Sequence, residues 1–165
     1  MKKHILLFGI FLNLTFSLSV QAGNTVIDSL KQEIRQAERE PSSKEKLIEL
    51  YQFLGAEYET LDHDSSYHYI QKGLSLYPQP AFEEEGYLQL LNSLANYLFM
   101  EGKLGQAKET FKTVAAHAPK LKERRYDLEG VVESSIGVCY RKLGMLDSAV
   151  YHYNRALDFC KKTEK

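Results

Sequence analysis

The chain has 165 residues, with 21 basic and 22 acidic side chains, five histidines and two cysteines. Its near-neutral balance lacks the positive excess of a nucleic-acid-binding domain, and two cysteines are too few for a disulfide scaffold. The length suffices for one domain with a real core.

Residues 1–22 are expected to be a secretory signal peptide. Met1-Lys2-Lys3-His4 is a short positive start, Ile5 to Val20 is an uncharged apolar run, and Val20-Gln21-Ala22 offers small residues for cleavage before Gly23. The run is shorter than the roughly 20 residues of a membrane-spanning helix. An uncleaved anchor is therefore the weaker alternative. The expected location is exported, periplasmic or cell-envelope. With residues 1–22 removed, 19 basic and 22 acidic side chains remain.

From Thr25 onward, apolar residues return every three or four positions, as on one face of a helix. Residues 23–46 are expected to hold a leading helix and its connection, with Thr25 as N-cap and Leu30, Ile34 and Ala37 on its inner face. Leu47, Tyr51, Leu54, Tyr58 and Leu61 mark the second helix, and Tyr67, Ile70, Leu74 and Tyr77 the third. Glu83-Glu84-Glu85 suits the first turn of a fourth helix, carrying Tyr87, Leu91, Leu94 and Leu98. Leu104, Ala107, Phe111, Val114 and Ala118 mark the fifth. Ile136, Tyr140 and Leu143 belong to the sixth, and Ala149, Tyr153, Ala156 and Cys160 to the seventh. Prolines 41, 78, 80 and 119 fall between these stripes, where a missing amide donor does least harm. Short connections make successive helices antiparallel. Such packing leaves Cys139 and Cys160 at different heights, so both are expected to be small buried apolar residues rather than a disulfide.

The last six helices form three similar hairpins, at about 47–80, 88–121 and 130–163, within a domain at 47–165. Gly55, Ala95 and Gly137 sit midway along the first helix of each, followed three residues later by Tyr58, Leu98 or Tyr140. Ser66, Ala107 and Ala149 occupy the matching place on the second helix, followed by Ile70, Phe111 and Tyr153, then by Gly73, Val114 and Ala156. A small residue lets paired helices approach, and the large one a turn later fills the space beside the crossing. Hairpins of this kind cannot bury their apolar faces alone and stack on one another.

This pattern resembles the tetratricopeptide-repeat (TPR) family. The third unit carries it best, through Gly137, Tyr140, Gly144, Ala149, Tyr153 and Ala156. The first unit is degenerate: its turn is shorter and lacks the glycine, and the family's early tryptophan is absent throughout. The resemblance implies an all-α, right-handed α-solenoid of about three helical hairpins preceded by one helix. It also implies a concave groove that receives a protein or peptide. Mapped onto this sequence, the groove would use Gln52, Ala56, Glu59, Gln89, Asn92, Asn96, Phe99, Ser134, Val138 and Arg141. Gln52 and Ala56 replace the lysine and asparagine with which chaperone-binding repeats grip a carboxylate, which argues against that clamp.

No catalytic constellation is legible. His63, His68, His117 and His152 lack metal-ligand spacing, the glycines build no phosphate-cradling loop, and neither cofactor nor metal is expected. The basic stretch Lys120, Lys122, Arg124 and Arg125 reads as a solvated connection. Val150 and Leu157 would face outward on the last helix. A homodimer, a partner or a continuation of the chain would cover them. The expected function is an exported interaction module or scaffold. The alternative is the sensory TPR region of a truncated membrane signalling protein, a histidine kinase or transcriptional regulator.

Overall fold

The computed structural model describes residues 25–40, 44–78 and 80–163. The expected leader at 1–22 lies outside them. The described residues form seven α-helices, one 3-10 turn and no strand. Helix α1 spans 25–37, and Thr25 is already helical rather than the residue before the first turn. Then come α2 (Lys44–Tyr58), α3 (His63–Ser75), α4 (Glu85–Met100), α5 (Leu104–His117), the 3-10 turn Ala118–Lys120, α6 (Tyr126–Lys142) and α7 (Leu146–Thr163).

Turn chemistry explains the hairpins. Gly102 and Gly144 have φ of 73° and 77°, a left-handed conformation that side chains resist. After each, the chain folds back on the helix end: Lys103 N–H donates to Leu98 C=O and Met145 N–H to Tyr140 C=O, both at 2.9 Å. The first hairpin has no glycine and uses a side-chain cap instead. Asp62 accepts from Asp64 N–H at 3.2 Å and from the Ser65 hydroxyl at 2.6 Å. Because α2 stops at Tyr58, Leu61 falls in this turn and is exposed, contrary to the stripe that placed it on the helix. Leu143 likewise follows the end of α6 and is exposed.

The repeat positions lie where the helices cross. A Cβ on Gly55 would stand 3.1 Å from Ile70 Cγ1, and Ser66, from the facing helix, donates to the Gly55 carbonyl at 2.7 Å. A Cβ on Gly137 would stand 2.7 Å from Tyr153 Cε1 and 3.2 Å from the Ala149 carbonyl oxygen. Ala95 and Ala107 are fully buried in one cluster with Phe111, and Tyr140 packs against it. Tyr58 stacks on Tyr69 at 5.8 Å beside the N-terminal core, and Ala149 and Ala156 are buried on α7.

The core is divided. The larger cluster runs from Leu88 to Cys139 across α4, α5 and α6. A second joins Ile27, Ile34 and Ala37 of α1 to Leu50, Tyr51 and Leu54 of α2. Between them sits a small one of Ile48, Tyr77 and Leu90.

Both cysteines are free. Cys139 is buried and burial pushes its thiol pKa up, but Cys160 is exposed, which corrects the expectation that both are core residues. On α7, the inward turn at this level is taken by Phe159. Val150 and Leu157 are each more than half exposed.

Candidate interaction groove

Helices α2 and α4, the first helices of two successive hairpins, form the sides of a groove of about 640 Å³, and Tyr77 and Glu84 of the connection from α3 complete its lining. Its floor holds Ile48, Tyr77 and Gly86. Gly86 permits the close floor, since a Cβ there would stand 2.9 Å from Tyr77 Oη and 3.1 Å from Ile48 Cγ2. Phe53, 53% exposed, forms one wall. Four carboxylates surround these apolar surfaces: Glu45 and Glu49 from α2, and Glu84 and Glu85 at the start of α4. The single lining lysine, Lys44, holds its ammonium 5.0 Å from the centre of the Tyr77 ring. Burial, and then the negative charges of Glu84 and Glu45, push the Tyr77 hydroxyl pKa up to about 12.

Of the acidic run, only Glu85 lies in the first turn; Glu84 occupies the N-cap position without a side-chain capping bond, and Glu83 precedes it. Glu85 is bound by the Arg125 guanidinium and accepts from Gln89 Nε2 at 2.7 Å. No ion pair reaches Glu45, Glu49 or Glu84 among the described residues.

The structure brings two of the expected groove residues, Gln52 and Gln89, into this space. Asn92 and Asn96 continue along α4, half-buried, and Asn92 Oδ1 is buried with no hydrogen-bond partner. Phe99 packs partly against the main core, so it is not a free groove residue. Glu59 sits just beyond the end of α2, Ser134 is half-buried on α6, and Arg141 is exposed near the α6 C-terminus. Sequence reasoning missed the aromatic and acidic part of the groove. Its best signal was the spacing of Glu45, Ile48, Glu49 and Phe53, which share a face of α2 beside Gln52.

Other polar clusters are internal. Glu133 on α6 is 2% exposed, 2.7 Å from His152 Nδ1 and 3.0 Å from the Arg155 guanidinium of α7. His152 also stacks on Tyr140 at 5.2 Å, so this histidine pins α7 to α6. His117 stacks on Phe82 at 4.2 Å. The basic connection before α6 is engaged as well as solvated. Arg124 forks onto the buried Glu129 at 2.9 and 3.2 Å. Arg125 grips Asp127 as well as Glu85, and that guanidinium lowers the Asp127 carboxyl to about 2. Among the described residues, no group of three His, Cys, Asp or Glu could hold a metal ion, and no helix is long and apolar enough to cross a membrane.

Consecutive antiparallel hairpins, each stacked on the last, define a helical-repeat solenoid. Residues 86–162 match the family model described as tetratricopeptide repeat, which covers α4 to α7 and stops short of the degenerate first unit. Helices α4 to α7 are thus tetratricopeptide repeats. A search of curated proteins gives no match. Solved structures share the fold. "Crystal structure of MamA" matches with a TM-score of 0.59 and 21% identity, over 86% of this chain and 71% of that one. "MamA MSR-1 C2" matches with a TM-score of 0.57 and 19% identity, over 88% and 72%. "MamA AMB-1 P212121" matches with a TM-score of 0.52 and 18% identity, over 82% and 62%.

Proposed function

We propose that this protein is a non-catalytic interaction module or scaffold that receives a partner protein or peptide along the face built from α2, α4 and α6. The observation that carries this reading is the groove between α2 and α4, which brings the expected Gln52 and Gln89 to one concave surface. The test is affinity capture of the native partner by wild-type protein and by Asn96→Ala combined with Arg141→Glu. Capture should weaken while helicity and melting stay nearly unchanged. Equal capture by both would remove this face from consideration.

We further propose export, on the strength of the leader pattern at 1–22. Cell fractionation with N-terminal sequencing tests it, and a retained Met1 in a cytoplasmic pool would refute it. Val150 and Leu157, outward on α7, favour a second contact there, a homodimer being the simplest form. Sedimentation of wild type against Val150→Lys with Leu157→Lys reads this out. The sensory region of a membrane signalling protein is the alternative role for the same groove. An in-frame membrane segment and output domain after Lys165 would replace the scaffold role with it.

A further inference from the structure

We propose that the α2–α4 groove selects a cationic segment, a stretch of lysine or arginine carrying one large apolar side chain. This rests on the groove reading above and adds the chemistry of the occupant. The groove carries two complementary signals. Its walls present Glu45, Glu49 and Glu84 free of ion pairs among the described residues, while its one lysine lies over the Tyr77 ring. Three unpaired carboxylates around one concave surface give it a negative potential, strengthened because the low-dielectric floor of Ile48 and Tyr77 screens poorly. Phe53 supplies the second signal. A phenylalanine half in solvent at the groove edge leaves apolar surface that a large side chain would cover. Its ring face would also receive a guanidinium or ammonium.

An acidic segment is disfavoured by the same geometry. It would bring like charges against Glu45, Glu49 and Glu84, where Lys44 is the one cation lining the groove among the described residues. A nucleic acid meets the same repulsion along its phosphates. Gln52 of α2 and Gln89 of α4 also line the groove, and their amides can bond the segment's backbone, Gln89 through the oxygen that its bond to Glu85 leaves free. Side-chain charge selects the segment, and these amides hold its main chain.

The test uses the full-length protein and two fluorescein-labelled probes, a heptapeptide of six lysines around a central leucine and its counterpart with glutamate for lysine. Anisotropy at low ionic strength should show binding of the lysine probe only, weakening as salt is raised. Glu49→Lys with Glu84→Lys should weaken that binding by about tenfold or more, from two surface pairs removed and reversed. Glu33→Lys with Glu123→Lys, an equal charge change at exposed positions outside the groove, should leave it within about twofold. Phe53→Ser should weaken the lysine probe but not change its salt slope.

Binding of the glutamate probe, or equal loss from the two charge-reversed proteins, overturns the proposal. So does a change of oligomeric state in Glu49→Lys with Glu84→Lys, which would make a second copy of the chain the occupant. If the lysine probe fails while Asn96→Ala with Arg141→Glu still impairs capture of the native partner, the chemistry assigned here falls and the groove reading stands.

Discussion

The crossing of α6 and α7 at Gly137 can be probed with one methyl group. A Cβ at residue 137 would stand 2.7 and 2.8 Å from the Tyr153 ring and 3.2 Å from the Ala149 carbonyl oxygen. The ring can swing, but the carbonyl belongs to α7 itself, so the helices must part. Overpacking of this kind costs about 1–3 kcal/mol. Alanine in a helix interior recovers about 1 kcal/mol over glycine, so Gly137→Ala should be destabilised by up to about 2 kcal/mol. Gly105 provides the control, because a Cβ there meets nothing within 4 Å. Gly105→Ala should therefore stabilise by up to about 1 kcal/mol. Urea unfolding followed by circular dichroism measures both, with equal slopes required for the comparison. Adding Tyr153→Ala should relieve most of the strain, giving a coupling of about 1 kcal/mol in the double-mutant cycle. If Gly137→Ala stabilises as much as Gly105→Ala does, the close crossing is not what holds this hairpin.

Further outcomes follow from individual groups. Iodoacetamide at pH 8 should label Cys160 quickly and Cys139 only after unfolding, with mass spectrometry assigning the sites; rapid labelling of both would contradict the packing of α6. Asn92→Leu should leave the protein as stable or slightly more so, because it removes an unpaired buried acceptor; a clear fall in melting temperature would show that Oδ1 has a hidden donor. Asp127 has a folded pKa of about 2, below its ordinary 3.8, so its contribution is present above about pH 4 and lost as pH falls toward 2. Its exposure keeps that contribution under about 1 kcal/mol. Asp127→Asn should lower stability at pH 7 and match wild type near pH 2, whereas a constant gap in acid would place the effect elsewhere.

The helices were legible because their stripes and breakers agree: Leu54, Ile70, Phe111 and Ile136 sit on the predicted faces and are fully buried. The crossings were legible for the same reason, since Gly55 and Gly137 lie against the facing helix. Element ends were harder. Leu61 continues the stripe of α2 by spacing, but the Asp62 cap starts the next helix and leaves Leu61 in the turn. Phe99 fits the groove face by register, yet a large apolar side chain finds more burial by leaning on the core. Part of the groove was invisible: Tyr77 continues the stripe of α3 by spacing but lies beyond that helix, which ends at Ser75, and with Glu84 belongs to a connection whose path depends on packing rather than period. Pairing was also illegible: that Arg125 would tie Asp127 to Glu85 forty residues away follows only from the stacking of α4 and α6.

The groove lies over the narrowest part of the hydrophobic interior, since Ile48 and Tyr77 belong both to its floor and to the three-residue cluster between the two larger cores. Flexing the stack there disturbs fewer buried contacts than flexing it anywhere within the Leu88–Cys139 cluster. A guest in the cleft would rest on α2, α4 and the connection from α3 together, spanning the thin place between the two larger cores.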